Sequence, residues 1–536
     1  MAITPDLPGH EIRWTWDLVW ILGLALSVRL MAYNGAFGSD DSTYIGAAID
    51  VAQGTWAPSN YNGALRYGFN IPAGLLVWLF GPSPFVVNLW PLLCSLLEVT
   101  AVYAVAVSMI NRRSGIFAAA LLASAPLHIA VATRIHADPV VSMFVTISFT
   151  LLWFGWRTRS LALLFVCGLA MGGIFWTKEL VAVTWLAFLP MLWLFRGRWR
   201  ETLPVFAGVF LMLVLHGVIM TLLNGHPLHL VNTVLGAVKS NFIDQQLGED
   251  AAGYYLRYLF FDLRHTGLLG FLGVVSVLVF SRRIAVPGAL RTGAVFVLVW
   301  LLGLLLVLSV FPVSIAPLRF VMKQSNYISL FMGPLALLAG LGLATMPCRL
   351  AYAVASISVG FGVLLGFLQQ ADYRVFTANS KALAEWAIAN PRDLFIGSTN
   401  NSRMKGLWFK QQDSASPHGT VMSFTDVHDK PAEFSATRDR SADLYAVLDR
   451  QTMNWVSGST PVTEVLPCWH LVQRLKPTDL ALGNQMARVL NQAALNLTAW
   501  KIPAANAAAA ALGALAQPKP ADIYRVNGLD PFCRAV

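Results

Sequence analysis

The chain has 536 residues, of which 56 % are hydrophobic and 12 % are charged, and its formal net charge is +10. The charged share is about half of that in soluble domains, and the mean hydropathy is +0.59, so the composition excludes a soluble multidomain protein. No basic patch interleaved with aromatic residues occurs in the sequence, which argues against a nucleic-acid-binding protein. In a membrane protein, the excess of basic residues is first of all a signal of topology.

Long apolar stretches separated by short polar breaks fill the first two-thirds of the sequence. A helix needs about 20 residues to cross a bilayer core of about 30 Å. The pattern predicts about eleven transmembrane helices, at residues 16–33, 86–109, 116–132, 139–156, 161–177, 180–195, 203–223, 266–281, 292–311, 326–346 and 351–369.

Arginine-rich breaks alternate with arginine-poor breaks along this region. Cytoplasmic loops of membrane proteins are enriched in Lys and Arg. The breaks that contain Arg112, Arg157, Arg198, Arg282 and Arg349 are therefore predicted on the cytoplasmic side of the cell (inner) membrane. The other breaks are predicted outside, and an odd number of spans places the C-terminal tail outside as well.

The sequence changes character near residue 370, where polar and charged residues reach the density of soluble domains. Strand-like runs at 394–396 and 444–448 alternate with helical patterns, which predicts an extracytoplasmic α/β domain. The predicted domains are thus a transmembrane domain, 1–369, and a soluble domain, 370–536. Cys468 and Cys533 both lie in the soluble domain, and the sequence leaves open whether they form a disulfide or remain two buried thiols.

The first outward break carries an acidic pair, Asp40 and Asp41, ahead of a helical segment at 45–56. One interpretation is structural, because an acidic residue caps a helix and complements its dipole. The other is catalytic, because a carboxylate at a membrane surface could act as general base on an acceptor hydroxyl. One carboxylate could serve both purposes. Tyr44 shares a face with Ala48, as expected of a helix in the membrane interface.

Two further positions carry charge at the outer ends of predicted spans. Asp138 precedes a proline at the start of a span, so it is either a turn-and-cap residue or a second acidic site residue. Lys178 and Glu179 occupy a tight outward turn, where they either pair with each other or separate, so that Lys178 faces the cavity between the spans. Glu98 lies near the centre of the second span and is costly unless paired, but the sequence indicates no partner.

Five cations are predicted around the outer mouth of the helical bundle. Cations at this depth either anchor at lipid headgroups or bind a phosphate near the outer surface. The candidates for phosphate and substrate binding are Arg66, Arg134, Lys178, Arg319 and Lys323.

The order of these features resembles a known family. The sequence has Arg29 at the end of the first span, then Asp40-Asp41 with Tyr44, then the segment 66–72, then Asp138 and Thr177-Lys178-Glu179. This order is similar to that of the GT-C membrane glycosyltransferases, in particular the branch of dolichyl-phosphate-mannose protein mannosyltransferases and lipid A aminoarabinose transferases. The resemblance covers about residues 16–350. Asp41 stands where that family usually has Glu, and its Lys-Pro-Pro segment is not kept.

The resemblance implies a GT-C fold and an inverting glycosyltransferase that takes a sugar from a polyprenyl-phosphate-linked donor. The acceptor would be a lipid, glycan or protein of the cell envelope. By the same resemblance, Asp40 is the proposed base, and Asp138 and Lys178 match the family's second acidic residue and hairpin lysine. The catalytic candidates are thus Asp40, Asp41 and Asp138, and the binding candidates are Tyr44 and the five cations.

Two other classes of function remain as alternatives. A transporter or flippase of lipid-linked sugars would have ionisable residues near the midplane, in broken helices of two related halves, whereas the candidates here gather at outer span ends. A non-catalytic envelope scaffold would leave the acidic loop and the cations without a role. The sequence indicates no metal site and no nucleotide-binding glycine loop, although a carboxylate-bound divalent ion is left open.

Overall fold

A computed structural model describes most of the chain. The described residues are 16–56, 58–194, 200–244, 253–283, 289–315, 318–321, 323–411, 417–437, 441–453, 462, 464–477, 480–498, 501–517, 519–528 and 530–533.

Helices dominate the structure. In chain order they are α1 Trp16–Met31, α2 Asp41–Gln53, α3 Tyr67–Phe80, α4 Pro84–Met109, α5 Arg112–Ser124, α6 Pro126–Ala132, α7 Asp138–Thr158, α8 Leu161–Thr177, α9 Leu189–Leu194, α10 Leu203–Asn224, α11 His229–Asp244, α12 Tyr254–Phe260, α13 Leu263–Thr266, α14 Leu269–Arg283, α15 Ala289–Val310, α16 Ser329–Ala344, α17 Cys348–Ala389, α18 Thr399–Gln411, α19 Phe424–Asp429, α20 Pro431–Thr437, α21 Leu482–Thr498 and α22 Pro503–Ala516. Short 3₁₀ helices cover Asn62–Leu65, Glu179–Phe188 and Ser325–Ile328.

Seven short strands complete the described structure. They are β1 Pro312–Ile315, β2 Leu318–Phe320, β3 Leu394–Gly397, β4 Thr420–Ser423, β5 Leu444–Leu448, β6 Trp469–Leu475 and β7 Ala521–Val526.

The chain divides into two compact units. The first comprises Met1–Met31 and Gly46–Gly366, as far as these residues are described, and the second comprises Ala32–Ile45 and Phe367–Val536. The loop that carries Asp40 and Asp41 therefore groups with the C-terminal residues. Nothing in the sequence indicates this grouping, because it depends on contacts between segments more than 300 residues apart.

The first unit is a helical bundle with an apolar core. Helix α16 is buried over Ser329–Leu343, and the ring of Phe149 in α7 stacks between Phe188 at 4.1 Å and Trp300 at 4.5 Å. Helices without a polar face are expected inside a membrane bundle, where lipid is as apolar as the core and packing holds the helices together.

Six helices in the described residues are long and apolar enough to cross a membrane, and α5 with α6 makes a seventh if the pair is one bent span. The six are Pro84–Met109, Asp138–Thr158, Arg200–Asn224, Leu290–Val310, Ser325–Ala344 and Cys348–Ala389. A mostly helical, multi-span membrane protein is confirmed, and the number eleven stays a prediction.

Two predicted spans differ from the structure. The span predicted at 116–132 is two helices bent by 60°, because Pro126 lacks a backbone donor and holds Ala125 in an extended conformation. The span predicted at 180–195 is a 3₁₀ helix, Glu179–Phe188, that continues as the short helix α9. Its β-branched Val181, Val183 and Thr184 are weak α-helix formers.

The last predicted span, 351–369, does not end where its apolar run ends. Helix α17 continues without a break for 42 residues to Ala389, more than twice the length that a bilayer core requires. Polar residues after position 369 end the apolar run but not the helix, since most of them are compatible with helical backbone.

The second unit contains a five-stranded sheet with the order β4-β3-β5-β7-β6. Strand β3 pairs in parallel with β4 and β5, whereas β7 pairs antiparallel with β5 and β6. Because successive side chains of a strand face opposite sides, Ile396 joins one apolar cluster with Trp469, and Phe395 joins another with Leu383 of α17. The strands predicted at 394–396 and 444–448 are confirmed.

Cys468 and Cys533 form a disulfide with a Cα–Cα distance of 5.7 Å. The bridge closes the end of the chain onto the start of β6, and of the two alternatives that the sequence left open the structure has the disulfide. Cys94 and Cys167 are buried free thiols.

Candidate active site

The candidate residues fall into two groups, one in each unit. Asp40, Asp41 and Tyr44 belong to the second unit, and Arg66, Arg134, Asp138, Lys178, Arg319 and Lys323 belong to the first. Each group is described by itself.

The Asp41 carboxylate is hydrogen-bonded to the backbone of its own loop. Its Oδ2 accepts hydrogen bonds from the backbone N–H groups of Phe37 at 2.7 Å and Gly38 at 3.2 Å, and its Oδ1 accepts from Ser39 at 2.6 Å. Burial raises the pKa of this carboxyl above its ordinary value, and the backbone donors act in the opposite direction. The arrangement makes Asp41 the residue that shapes the loop ahead of α2.

Asp40 lies one residue before the first turn of α2, and its backbone carbonyl accepts from Thr43 N at 3.0 Å and Tyr44 N at 3.1 Å. Its side chain is partly exposed, in contrast to that of Asp41. Tyr44 and Ala48, which the sequence predicts on one face, are both buried. Of the acidic pair, Asp40 thus presents the more accessible carboxylate.

Asp138 and Lys178 form a buried ion pair. Lys178 Nζ donates to Asp138 Oδ1 at 2.8 Å, and both side chains are at least nine-tenths buried. His136 lies against the second oxygen of Asp138, and the ring of Tyr327 lies 4.6 Å from the ammonium group. Asp138 opens α7 and Lys178 follows the last residue of α8, so the pair joins the ends of two adjacent helices.

Glu179 pairs with Arg66 and not with Lys178. Arg66 donates through Nε and Nη2 to the two carboxylate oxygens, each at 3.3 Å, and Asn62 Nδ2 adds a third bond at 3.3 Å. The self-paired Lys178–Glu179 alternative is therefore wrong. Lys178 has extended backbone, with φ −155° and ψ 94°, and adjacent side chains of extended backbone face opposite directions.

A glycine allows the Arg66–Glu179 pair to form. Gly68 lies in the first turn of α3, and a Cβ there would overlap Thr177 Oγ1 and come within 3.0 Å of Thr177 N. Trp90 Nε1 also donates to the Gly68 carbonyl at 3.1 Å. This close approach between the start of α3 and the end of α8 sets Arg66 beside Glu179.

The remaining predicted cations have different surroundings. Arg134 is buried and its Nε donates to Ala130 O at 3.2 Å. The buried Lys323 ammonium lies 5.7 Å from the centre of the Phe320 ring. Arg319 belongs to β2, where it pairs with Ser314, and its side chain is outside the described structure.

A second buried polar cluster surrounds Glu98, for which the sequence indicated no partner. His128 Nε2 lies 3.3 Å from Glu98 Oε2, and Arg29 Nη2 lies 2.7 Å from His128 Nδ1. A guanidinium can only donate, so Nδ1 accepts and Nε2 carries the proton that faces Glu98. Ser142 and Thr146 donate to Glu98 Oε1 at 2.9 and 2.8 Å.

This cluster joins α1, α4, α6 and α7, and the partners come from positions up to 99 residues apart. An ionisable residue in the middle of an apolar run signals that partners exist. Which residues they are depends on the helix packing, so this signal could reveal the cluster but not its members.

An apolar cavity of about 810 Å³ lies in the first unit next to the Lys178–Glu179 turn. Phe175 and Ala182, on either side of that turn in sequence, both line it, and the opposite side comes from α10 and α11. His216 and Thr221 are the polar side chains among its lining residues. A cavity of this size and character suits an apolar ligand.

Among the residues that the structure describes, no group of three or more His, Cys, Asp and Glu side chains is arranged to hold a metal ion.

Part of the sequence matches a known family. Residues 72–220 match the family described as dolichyl-phosphate-mannose-protein mannosyltransferase, and this range contains Asp138 and Lys178. No curated protein matches the chain in sequence.

The fold is similar to that of solved membrane glycosyltransferases. ArnT from Cupriavidus metallidurans bound to undecaprenyl phosphate has a TM-score of 0.53 at 16 % identity, and the match covers 86 % of this chain and 97 % of that chain. Its apo state gives 0.54 at 16 % identity, covering 85 % and 96 %. The archaeal oligosaccharyltransferase AglB from Archaeoglobus fulgidus, in complex with an inhibitory peptide and a dolichol-phosphate, gives 0.50 at 10 % identity, covering 96 % and 89 %. The GT-C resemblance that the sequence indicates is confirmed as a likeness in fold.

Proposed function

We propose that this protein is an inverting glycosyltransferase that moves a sugar from a polyprenyl-phosphate carrier to an acceptor on the outer side of the membrane. The observation that carries the proposal is the Asp138–Lys178 pair, joined at 2.8 Å inside the range that matches the mannosyltransferase family. The likeness in fold to an ArnT bound to undecaprenyl phosphate supports a lipid carrier of that chemistry.

In this proposal Lys178 binds the phosphate of the carrier. Its ammonium has three N–H donors, and Asp138 accepts one of them. Asp138 thereby fixes the direction of the lysine side chain, and His136 in turn contacts Asp138. Arg66, held by Glu179, and the cations Arg134, Arg319 and Lys323 add positive charge for the same anion, and Tyr44 supports substrate binding.

The apolar cavity beside the Lys178–Glu179 turn would take the start of the polyprenyl tail. Two arguments favour this occupant over a polar one. The lining is almost entirely aliphatic and aromatic, and its residues Phe175 and Ala182 flank the proposed phosphate-binding lysine in sequence. A tail in this cavity and a phosphate at Lys178 would belong to the same molecule.

Asp40 acts as the general base. It takes the proton of the acceptor hydroxyl, the acceptor oxygen forms a bond to the anomeric carbon, and the bond from that carbon to the phosphate oxygen breaks. The electron pair leaves with the polyprenyl phosphate, and cations stabilise its developing charge. A single displacement inverts the configuration at the anomeric carbon. Asp41 contributes by holding the loop through its three backbone bonds.

The proposal includes the orientation in the inner membrane, with eleven spans and an extracytoplasmic α/β domain. The arginine-rich breaks support it, and so does the Cys468–Cys533 disulfide, because structural disulfides persist in oxidising compartments. The site residues at the outer span ends and the second unit then share one side of the membrane.

The experiment that tests the function combines lipid analysis with transfer. Purified protein is extracted and its lipids are identified by mass spectrometry, and the protein is then incubated with a panel of undecaprenyl-phosphate sugars and envelope fractions. We expect a co-purified polyprenyl phosphate and sugar transfer from at least one donor. The proposal would be overturned if no polyprenyl phosphate co-purified with the protein and no donor in the panel supported sugar transfer.

A further inference from the structure

The loop that carries Asp40 is attached to the second unit by its backbone carbonyls. Asn400 Nδ2 donates to Phe37 O at 2.6 Å, and Tyr33 O accepts from Gln370 Nε2 at 3.1 Å and from Arg374 Nη2 at 2.8 Å. The rings of Phe37 and Tyr373 are 5.9 Å apart. The loop is thus bonded to residues more than 330 positions later in the sequence.

Both backbone groups of Phe37, three residues before Asp40, are hydrogen-bonded. Its N–H donates to Asp41 and its carbonyl accepts from Asn400. The next residue, Gly38, has φ +87°, and a Cβ there would lie 2.5 Å from Asn400 Nδ2 and 3.0 Å from Met404 Cγ. Only glycine allows this contact, so the loop conformation and the Asn400 bond depend on each other.

Asn400 is itself oriented by a buried polar network. Ser380 Oγ donates to Asn400 Oδ1 at 2.9 Å, which directs the amide nitrogen toward Phe37. Asn401 Nδ2 donates to Ser380 Oγ at 2.8 Å and to Asp449 Oδ2 at 3.1 Å. The carboxylate of Asp449 accepts further bonds from Asn379 Nδ2 at 2.9 Å and Thr452 Oγ1 at 2.7 Å.

This network lies at the carboxyl ends of the parallel strands β3 and β5. Asn400 and Asn401 follow β3, and Asp449 follows β5. Open α/β sheets commonly bind a ligand at this position. Here the carboxyl ends bind a segment of the same chain, residues 32–45, which contributes to the same compact unit.

We infer that the second unit holds the acidic loop in position and that Asn400 is a positioning residue for the transfer reaction. Asn400 acts through its bond to Phe37, and Ser380, Asn401 and Asp449 support it through the buried polar network. The inference rests on the proposed function, since it assigns the loop to catalysis. On this inference the C-terminal sheet positions the acidic loop, and this role requires no ligand bound to the sheet. Displacement of a catalytic group by about 1 Å can cost about 10²-fold in rate.

The test uses the full-length protein in detergent and compares Asn400→Ala with Asn390→Ala. Asn390 is the matched control, because its side-chain amide also donates to a backbone carbonyl of the second unit, that of Trp386 at 2.9 Å. A second variant, Ser380→Ala, leaves Asn400 in place and removes the bond that orients its amide, together with the bond that Ser380 Oγ accepts from Asn401.

Hydrogen exchange measures how firmly Asn400 attaches the acidic loop to the second unit. In Asn400→Ala we expect the amides of Phe37, Gly38 and Ser39 to exchange roughly fivefold faster or more, because one of the bonds that hold their loop is lost. Amides of β3 and β5 should exchange as in the wild type. Ser380→Ala should change the same amides in the same direction by less, and Asn390→Ala should leave them unchanged.

Kinetic measurements test whether Asn400 positions the acidic loop for sugar transfer. We expect Asn400→Ala to lower kcat for sugar transfer by about 10- to 100-fold, with the KM for the donor and the affinity for undecaprenyl phosphate unchanged. A purely structural role would instead lower the amount of folded protein and leave kcat per folded molecule intact.

The inference would be overturned by loop amides that exchange as in the wild type, or by a loosened loop with an unchanged kcat. Equal acceleration of exchange in β3 and β5 would overturn it as well, since the variant would then have unfolded the sheet. A wild-type protein that transfers no sugar would overturn the proposed function, and the exchange data would still decide whether Asn400 holds the loop.

Discussion

At the scale of single residues, the two carboxylates of the acidic pair have different environments. Asp41 accepts three backbone bonds and is buried, whereas Asp40 is partly exposed at the start of α2. A base must reach a substrate hydroxyl, and a carboxylate enclosed by backbone donors is poorly placed to do so. In the proposed transfer reaction, Asp40 is therefore assigned as the base and Asp41 as the residue that holds its loop.

We expect Asp40→Asn to lower the transfer rate by about 10²- to 10⁴-fold, the usual contribution of a general base, without loss of folding or of lipid binding. The measurement is single-turnover sugar transfer by the purified variant. Asp50→Asn is the control, because Asp50 lies on the same helix and is exposed, and it should transfer sugar at the wild-type rate. Near-normal turnover of Asp40→Asn would exclude Asp40 as the base.

Asp41→Asn should also lower the rate, but for a different reason. An amide offers one acceptor oxygen and places N–H donors against the backbone donors of residues 37–39, so we expect faster hydrogen exchange at those amides. Asp40→Asn should leave their exchange unchanged. If the two variants lose activity equally with no difference in exchange, the two carboxylates do not have separate roles.

The buried pair of Lys178 and Asp138 leads to a prediction about stability. Lys178→Met removes the cation bonded to the buried Asp138 carboxylate and leaves His136 beside its other oxygen, and breaking a buried ion pair costs up to about 3–5 kcal/mol. We therefore expect Lys178→Met to lower the thermal stability in detergent clearly, and the double variant Lys178→Met/Asp138→Asn to recover much of the loss. The double variant should still bind undecaprenyl phosphate weakly, because the phosphate has lost its lysine.

An exposed pair provides the control. Lys430 and Glu433 are 3.4 Å apart with side chains more than half exposed, so Lys430→Met should not change the unfolding temperature measurably. If Lys178→Met were as mild as Lys430→Met, the Lys178–Asp138 pair would not be a buried ion pair in the protein.

At the scale of elements, the approach of α3 to α8 decides which charges meet. Gly68 allows the start of α3 to contact the end of α8, and this contact brings Arg66 to Glu179. The same turn separates Glu179 from Lys178, so each acid and each base has a partner from another helix. The contact of α3 with α8 thus sets the Arg66–Glu179 pair, and the contact of α7 with α8 sets the Lys178–Asp138 pair.

We expect Gly68→Ala to separate the two helix ends, to weaken the Arg66–Glu179 pair and to lower both thermal stability and transfer rate. The new methyl group would overlap the Thr177 side chain and press on its backbone nitrogen, which cannot move without shifting α8. Gly23→Ala in α1 is the control, because a Cβ there meets nothing within 4 Å. It should leave stability unchanged or raise it slightly. Equal behaviour of the two variants would mean that the α3–α8 contact is loose.

At the scale of the whole molecule, different interactions stabilise the two units. The first relies on apolar helix packing, and Glu98 within it has His128, Ser142 and Thr146 as partners. The second has a sheet with apolar clusters on both faces and a disulfide that ties Cys533 to Cys468. The contrast agrees with one unit in lipid and one in an oxidising aqueous compartment.

The proposed orientation predicts the location of the chain end. A reporter that is active only in an oxidising compartment should be active when fused after residue 536 and silent when fused after residue 200. Thiol labelling of the unreduced, denatured protein should miss Cys468 and Cys533, which are bridged, and should detect the free cysteines Cys94, Cys167 and Cys348. The reverse pattern of reporter activity would overturn the orientation and the outward position of the acidic loop.

The sequence by itself determined the membrane class, most helix positions, two strands of the sheet and the residues that carry charge at the span ends. These follow from local properties, namely apolar length, residue propensity and the presence of a charge in an apolar run. It did not determine the break at Pro126, the 3₁₀ helix after Glu179 or the continuation of α17 to Ala389, because hydropathy reports burial and not helix type or continuity.

Only the tertiary structure decided which groups meet. Lys178 pairs with Asp138 across 40 residues and not with its neighbour Glu179, Glu98 meets His128 and, through it, Arg29, and the acidic loop bonds to Asn400 across 363 residues. The physical reason is that a buried polar group must find a partner or bear its desolvation cost. The partner is whichever group the packing of helices and strands brings within hydrogen-bonding distance, and sequence distance has no influence on that.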